Sequence, residues 1–263
     1  MRVFVEIGRV ERYLIDKINR EGAVHIPLID PENVTVEEAA EIASKAEKAG
    51  SAAIMVGGST AASVPKLNCV VKSIKSKISI PVILFPNNLT GISPHADAIW
   101  FMSLLNSLNP YYIIGAQMLG ASTVREYGLE PIPMAYIIVG DGGVAGFIGQ
   151  AQPIPYNKPE IAALYALAAQ YLGLRFVYLE AGSGAERPIP VEMVSLVRRT
   201  VRLPLIIGGG LKSPVDVEDR IYAGANIVVT GTAIEETVDV MESISGFVDA
   251  VRKGSRRRGR GVA

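Results

Sequence analysis

One apolar run in this chain carries a carboxylate: Tyr178-Leu179-Glu180-Ala181-Gly182-Ser183-Gly184. Alternation along an extended strand puts Tyr178 and Glu180 on the same face. A carboxylate in such a run is costly to bury unless polar groups meet it. Glu180 is therefore placed to accept hydrogen bonds from substrate hydroxyls and to take a proton from one of them; the alternative use is a structural pair with a Lys or Arg. Further along, Gly208-Gly209-Gly210 precedes Ser213-Pro214, and Thr230-Gly231-Thr232-Ala233 closes the next apolar run. Glycines let backbone N–H groups approach an anion, and a helix N-terminus adds a favourable dipole. Two such tips on successive late strands make a phosphate site a better reading than a pair of ordinary turns.

Near the start, Leu28-Ile29-Asp30-Pro31 leaves an isolated acid at the end of an apolar run, and Gly57-Gly58-Ser59-Thr60 closes the next one. Asp30 suits catalysis or a hard cation such as Mg²⁺, which takes oxygen ligands and keeps several waters. Ser59 or Thr60 would supply a hydroxyl as second ligand. Turn formation or helix capping is the competing use of all three. His25 and His95 lie too far apart to argue for a metal pair and read as structural or surface residues, while Cys69, the single cysteine, reads as a small buried apolar residue. There is no P-loop, no dinucleotide glycine motif after the first strand and no nucleophile elbow.

Eight short apolar runs alternate with amphipathic helical segments. The strands are expected at Val24–Asp30, Ala52–Gly57, Pro81–Pro86, Ala98–Met102, Ala135–Gly140, Phe176–Ala181, Leu205–Gly208 and Ile227–Gly231. Helices are expected at Val36–Ala49, Pro65–Lys77, Tyr111–Tyr127, Pro159–Leu172, Val191–Thr200, Val215–Ala223 and Thr237–Arg252. Near-continuous apolar strands are those of a parallel sheet covered on both faces. The pattern predicts one (β/α)8 TIM barrel over residues 1–253, with an extra N-terminal helix, Val10–Arg20, able to close its bottom. Irregular segments follow strand three (Asn87–Ala96) and strand five (Asp141–Asn157), where long loops are usually functional. In such barrels the ends of strands seven and eight commonly hold phosphate.

The 263 residues are 49% hydrophobic and 20% charged, enough apolar material for one large core. Met1–Arg12 is too charged for a secretory signal, and the longest apolar run, near Tyr111–Met118, is far shorter than a membrane span. A cytoplasmic protein is expected, consistent with the lone cysteine. The net charge of zero conceals an asymmetry, because six of the 26 basic residues fall in the last twelve positions, which hold no acid. The remainder carries 20 basic against 26 acidic residues, about −6. An acidic body cannot attract an anion by its overall field, so local N–H groups, helix ends or a metal must hold one. Residues 254–263 read as a disordered basic tail. No basic stripe with interleaved aromatics is present, which argues against nucleic acid.

Taken in order, these motifs, together with Val56-Gly57-Gly58-Ser59 and Ser103-Leu104-Leu105-Asn106-Ser107, resemble those of the geranylgeranylglyceryl phosphate synthase family, over roughly Val24 to Glu236. The resemblance implies a Mg²⁺-dependent transfer of a geranylgeranyl group from its diphosphate to the C3 hydroxyl of sn-glycerol 1-phosphate, in lipid biosynthesis. By motif, Asp30 and Ser59 would bind the metal. Tyr178, Glu180, Gly182, Ser183 and Gly184 would hold the glycerol, and Gly209, Gly210, Gly231 and Thr232 its phosphate. Glu180 and Asp30 would be catalytic. Bacterial relatives with longer prenyl substrates carry a lysine two residues before the strand-one Asp; Leu28 stands there in this chain and favours the archaeal branch. Trp100, Phe101, Met102, Leu104 and Leu105 are candidates for the wall of a prenyl groove.

Two other readings compete. A phosphosugar isomerase of the histidine-biosynthesis type would use Asp30 with Asp141, but leaves Tyr178 and Glu180 without a role. A non-catalytic phosphate-binding barrel would need neither acid. A homo-oligomer is expected, with the apolar segment Tyr111–Leu119 as a contact surface.

Overall fold

The computed structural model describes residues 7–58, 63–231 and 239–260. Eight parallel strands close into a barrel in sequence order. They are β1 (Val24–Ile29), β2 (Ile54–Val56), β3 (Val82–Leu84), β4 (Ala98–Leu104), β5 (Glu130–Ile138), β6 (Phe176–Glu180), β7 (Leu205–Gly208) and β8 (Ile227–Thr230). The ring is completed by β1 pairing with β8, Val24 against Ile227 through Pro27 against Thr230. Around it lie α2 (Val36–Ala49), α3 (Val64–Lys77), α4 (Ala116–Glu126), α6 (Pro159–Tyr171), α7 (Val191–Thr200) and α8 (Pro214–Ala223), with a short α5 (Gly143–Ile148) after β5. Capping boxes start α2 and α8: the Thr35 and Ser213 hydroxyls accept the N–H of Glu38 and Asp216.

Alternation sorts the strand side chains into two cores. Inward positions such as Ile26, Met55, Ile83, Trp100, Met134, Phe176, Ile206 and Ile227 fill the barrel. Outward ones such as Ile29, Val56, Leu84, Ile137, Leu179 and Val228 pack under the helices. Each such buried side chain contributes roughly 1.5–3 kcal/mol. Helix α1 (Arg9–Glu21) closes the bottom as expected, since its Val10, Leu14 and Ile18 join the inner core. It is seated by polar contacts from two strand bases. Glu130 accepts the N–H groups of Val10 (2.7 Å) and Glu11 (2.8 Å) at the helix N-terminus. Arg175, just below β6, donates twice to the fully buried Glu11, at 2.6 and 2.7 Å.

Of the boundaries that differ from expectation, three have a clear physical reason. Strand β5 begins at Glu130, five residues before Ala135, despite Pro131 and Pro133. Val139 donates to the Glu180 carbonyl on β6, so odd positions of β5 face that neighbour. The two prolines thus aim their missing donors below the level where β6 starts, at Phe176 opposite Met134. The helix expected from Tyr111 opens with a π-helical turn, Tyr111–Gly115, before α4, and its outer face exposes Ile114, Met118 and Leu119.

The third is a correction. The basic residues from 254, expected to be disordered, continue the last helix, α9 (Val240–Arg260). Arg257 pairs with Glu218 at 2.6 Å and lies over the Tyr222 ring. Arg258 donates to the carbonyls of Ile221, Ala225 and Gly22, at the C-terminal ends of α8 and α1, where helix carbonyls lack partners. Those contacts hold the charge run against the barrel. No helix among the described residues is long and apolar enough to cross a membrane.

The bidentate bond at the barrel bottom yields a stability prediction. Arg175→Ala leaves the buried Glu11 carboxylate without its partner and should cost about 3 kcal/mol in urea unfolding at neutral pH. A change below about 0.5 kcal/mol would show that α1 is held by its apolar face alone.

Candidate active site

The site is built from strand ends. On β6, alternation turns Phe176, Tyr178 and Glu180 into the barrel, and Glu180, the last, is only 6% exposed at its mouth. One oxygen, Oε1, accepts the N–H of Gly182 at 2.7 Å, and the hydroxyls of Tyr178 and Tyr136 face the carboxylate and favour its charged form. Tyr136 stands opposite Tyr178 across the β5–β6 ladder, with ring centroids 5.3 Å apart. Phe85 of the β3 end packs on both rings, at 5.4 and 5.5 Å. Burial pushes the Glu180 carboxyl above its usual pKa, and the Gly182 N–H and the two hydroxyls oppose that shift only in part. Burial first, then the Glu180 charge, pushes both tyrosines well up, so they remain neutral donors.

The β7 tip is shaped to this acid. A Cβ on Gly208 would fall 1.9 Å from the Tyr178 hydroxyl, so only glycine lets that ring reach the strand end. Gly209 has φ +79°, and a Cβ there would lie 2.5 Å from Glu180 Oε1 and 2.6 Å from the Gly182 nitrogen. The tips of β6 and β7 are therefore in direct contact. Gly231, following β8, lies on the wall of the same cavity.

That cavity measures about 660 Å³ and opens at the carboxyl ends of the strands. Its polar end gathers Asp30, Tyr178, Glu180, Ser183, Gly184, Gly209, Gly210 and Gly231. Thus most of the residues singled out from sequence face one space. Gly182 is the exception; it is buried off the wall, and its N–H is already committed to Glu180. Ser59, Thr60 and Thr232 lie outside the described residues. Asp141, the second acid of the isomerase reading, is exposed and not on the cavity wall. His25 is buried and His95 half-buried, and neither is on that wall.

Asp30 is half-buried, lies against Gly58, and accepts the Glu32 N–H at 2.9 Å through Oδ1. Desolvation raises its pKa, partly offset by that N–H. Among the described residues no cation forms an ion pair with it, and no cluster of three metal-ligating side chains occurs. A half-buried carboxylate on the wall of a solvent-open cavity fits Mg²⁺, which is commonly held by one or two carboxylates, waters and substrate phosphate oxygens.

Beyond Glu180 the wall turns apolar. Trp100, Phe101, Met102 and Leu104 of β4 line it, with Leu89, Ile92 and Val124 opposite. Leu105, grouped with them from sequence, packs instead against the outer core. Because both inward Trp100 and outward Phe101 contribute, the cavity passes over the strand and under α4. There Gln117 donates to the carbonyls of Met102 (2.5 Å) and Tyr112 (3.1 Å) and ties the π-helical turn to β4.

Sequence reasoning missed Tyr136 and Lys212. Alternation within β5 placed Tyr136 inward, but nothing local linked it to Glu180. Lys212 follows the glycine triplet and is the one cationic side chain on the wall among the described residues, against the two acids Asp30 and Glu180.

The chain matches the model of the PcrB family over residues 16–251. It is 51% identical over 253 residues to the geranylgeranylglyceryl phosphate synthase of Thermofilum pendens, covering 96% of this chain and 99% of that one. With the enzyme of the same name from Pyrococcus abyssi it shares 53% over 250 residues, 95% of this chain and 99% of the other. The fold is similar to the crystal structure of (S)-3-O-geranylgeranylglyceryl phosphate synthase from Thermoplasma acidophilum in complex with sn-glycerol-1-phosphate. The TM-score is 0.88 at 40% identity, covering 91% of this chain and 98% of that chain.

The contact between the two strand tips can be tested by adding one methyl group. Gly209→Ala should destabilise the protein by about 1–3 kcal/mol in urea unfolding. Gly259→Ala, where a Cβ meets nothing within 4 Å, should not destabilise it. Equal stabilities of the two variants would mean that the strand tips are not packed against each other.

Proposed function

The chain belongs to the PcrB family, and on that premise we propose that it joins the geranylgeranyl group of geranylgeranyl diphosphate to the C3 hydroxyl of sn-glycerol 1-phosphate, releasing diphosphate. One observation carries the reading: a buried carboxylate stands between a glycine-lined polar end and a hydrocarbon-walled wing of a single cavity. A reaction between a small polar phosphate and a long apolar chain needs such a divided space. The enzyme would serve lipid biosynthesis, as copies assembled through surfaces such as the exposed Ile114, Met118 and Leu119.

In this reading Gly209, Gly210, Gly231 and Thr232 hold the phosphate with backbone donors, and Lys212 adds a positive charge at the mouth. Ser183, Gly184, Tyr178 and Glu180 position the glycerol. Glu180 accepts a hydrogen bond from the C3 hydroxyl and orients that oxygen toward the allylic carbon. As the carbon's bond to diphosphate breaks and the ether bond forms, the hydroxyl proton passes to a carboxylate oxygen of Glu180. Tyr178 and Tyr136 keep that carboxylate fixed while it waits, so little rearrangement accompanies the transfer. Trp100, Phe101 and Met102 enclose the tail and exclude water from the reacting carbon. Asp30, with Ser59 as second ligand, would hold a Mg²⁺ ion, whose charge would stabilise the departing diphosphate.

The direct test is prenyl transfer from geranylgeranyl diphosphate to sn-glycerol 1-phosphate with and without Mg²⁺. Absence of the ether product at every metal concentration would refute the proposal. Glu180→Gln should lower kcat by about a hundredfold or more. The sign of the pH effect follows from burial: the raised pKa means the base form is lost, as pH falls, earlier than for an exposed glutamate. The kcat profile should therefore have an acidic limb at higher pH than an exposed glutamate would give, and Glu180→Gln should erase it.

Charge balance on the wall gives a separate expectation. Lys212→Ala should raise KM for sn-glycerol 1-phosphate about tenfold with kcat nearly unchanged, and Lys212→Arg should recover most of the loss. An unchanged KM would remove Lys212 from the anion site.

A further inference from the structure

His25 is fully enclosed on the outer side of β1 and touches nothing in the cavity, yet it is bonded to the strand end that the cavity depends on. Its Nε2 lies 2.8 Å from the Thr230 hydroxyl, and its Nδ1 lies 2.9 Å from the Ser51 hydroxyl. The imidazole also stacks on Phe247 of α9, with centroids 6.1 Å apart. The ring is thus held from three sides and presents one nitrogen to β8. Thr230 is the last residue of β8, it lies on the cavity wall, and Gly231 follows it directly.

The ladders around this strand end early. Pairing of β7 with β8 stops at Gly208 and Val229, and pairing of β1 with β8 stops at Pro27 and Thr230. Gly231 lies beyond both. Of the links across the β1–β8 closure, the bond from His25 to Thr230 is therefore among the last before the chain enters the glycine tip. A hydroxyl buried to this extent also needs a partner to offset its desolvation.

We propose that His25 is a positioning residue for the anion site, setting the height and direction of the Gly231 tip through the Thr230 hydroxyl. The inference rests on the reading of that tip as a phosphate holder. Neutral imidazole suits the task because it offers one donor and one acceptor nitrogen to two hydroxyls. Burial keeps it neutral, lowering its pKa to about 3, so the bond persists across the working pH range. Leucine would fill the space without the bond. Glutamine can reach Thr230 with either an amide hydrogen or a carbonyl oxygen.

The test compares His25→Leu, His25→Gln and Thr230→Val by calorimetric binding of sn-glycerol 1-phosphate, by steady-state kinetics and by thermal unfolding. His25→Leu and Thr230→Val should each raise Kd and KM for the glycerol phosphate about five- to tenfold, with kcat changed less than twofold. The double variant should be no worse than the poorer single one, because both remove the same bond. His25→Gln should restore most of the affinity. A lowered Tm in His25→Leu with unchanged Kd and KM would reduce His25 to a stability residue and overturn the inference. Failure of His25→Leu to fold leaves the decision to Thr230→Val and His25→Gln: wild-type affinity in Thr230→Val, or no recovery in a folded His25→Gln, overturns it. Wild-type protein that binds the glycerol phosphate but forms no ether would refute the proposed reaction and leave the inference to the Kd comparison. Wild-type protein that binds neither the glycerol phosphate nor inorganic phosphate would sink both.

Discussion

A carboxylate taken out of water must be given hydrogen bonds or it will give up its charge. Glu180 stands under that constraint at the mouth of the barrel, and much of the surrounding structure follows from meeting it. It is met by the N–H just past its own strand, by Tyr178 on that strand and by Tyr136 on the neighbouring one. Those rings are bulky, so the next strand must withdraw its side chains, and Gly208 and Gly209 do so. The same withdrawal that makes room for Tyr178 and Glu180 leaves a backbone surface open to an anion. Acid and proposed anion site are thus two results of one packing requirement.

The cavity keeps its two chemistries apart by strand position around the ring. Late strands carry glycines, hydroxyls and the acid; β4 carries Trp100, Phe101 and Met102. Glu180 sits at the seam, where in the proposed reaction a polar nucleophile would meet an allylic carbon. With two acids against one lysine on the described wall, an anionic ligand gains little from side-chain charge. In the proposed reaction oriented N–H groups supply most of the attraction, and these require a fixed backbone more than a basic surface. There a hard cation at Asp30 would serve the diphosphate for the same reason.

A fixed mouth in turn relies on supports far from it. The bottom is stoppered by α1, seated by Glu130 and by the pair of Glu11 and Arg175. The outer ring is locked at its end by α9, whose Arg258 gathers carbonyls from the ends of α1 and α8. The first and last strands meet beside this helix, and His25 lies between Phe247 on α9 and Thr230 on β8. Burial of the imidazole therefore joins the helical shell to the strand that ends in Gly231.

Much of this was legible in the chain because periodicity is local. Eight apolar runs with helical segments between them specify a barrel, and alternation alone puts Tyr178 beside Glu180. Asp30, Gly209 and Gly231 were recognisable as strand ends because turns follow them. What escaped notice depended on neighbours distant along the chain. The early start of β5 was masked by Pro131 and Pro133, tolerable only because β6 has not yet begun on that flank. The C-terminal charge run looked like a solvated tail because the acceptors of Arg257 and Arg258 lie 33 to 236 residues away. Tyr136 and Lys212 had no local signal, since each faces Glu180's cavity only once the sheet has closed into a ring. Which face a side chain occupies is written in its immediate neighbours; which groups it meets there is decided by closure, because closure brings remote strands within hydrogen-bonding distance.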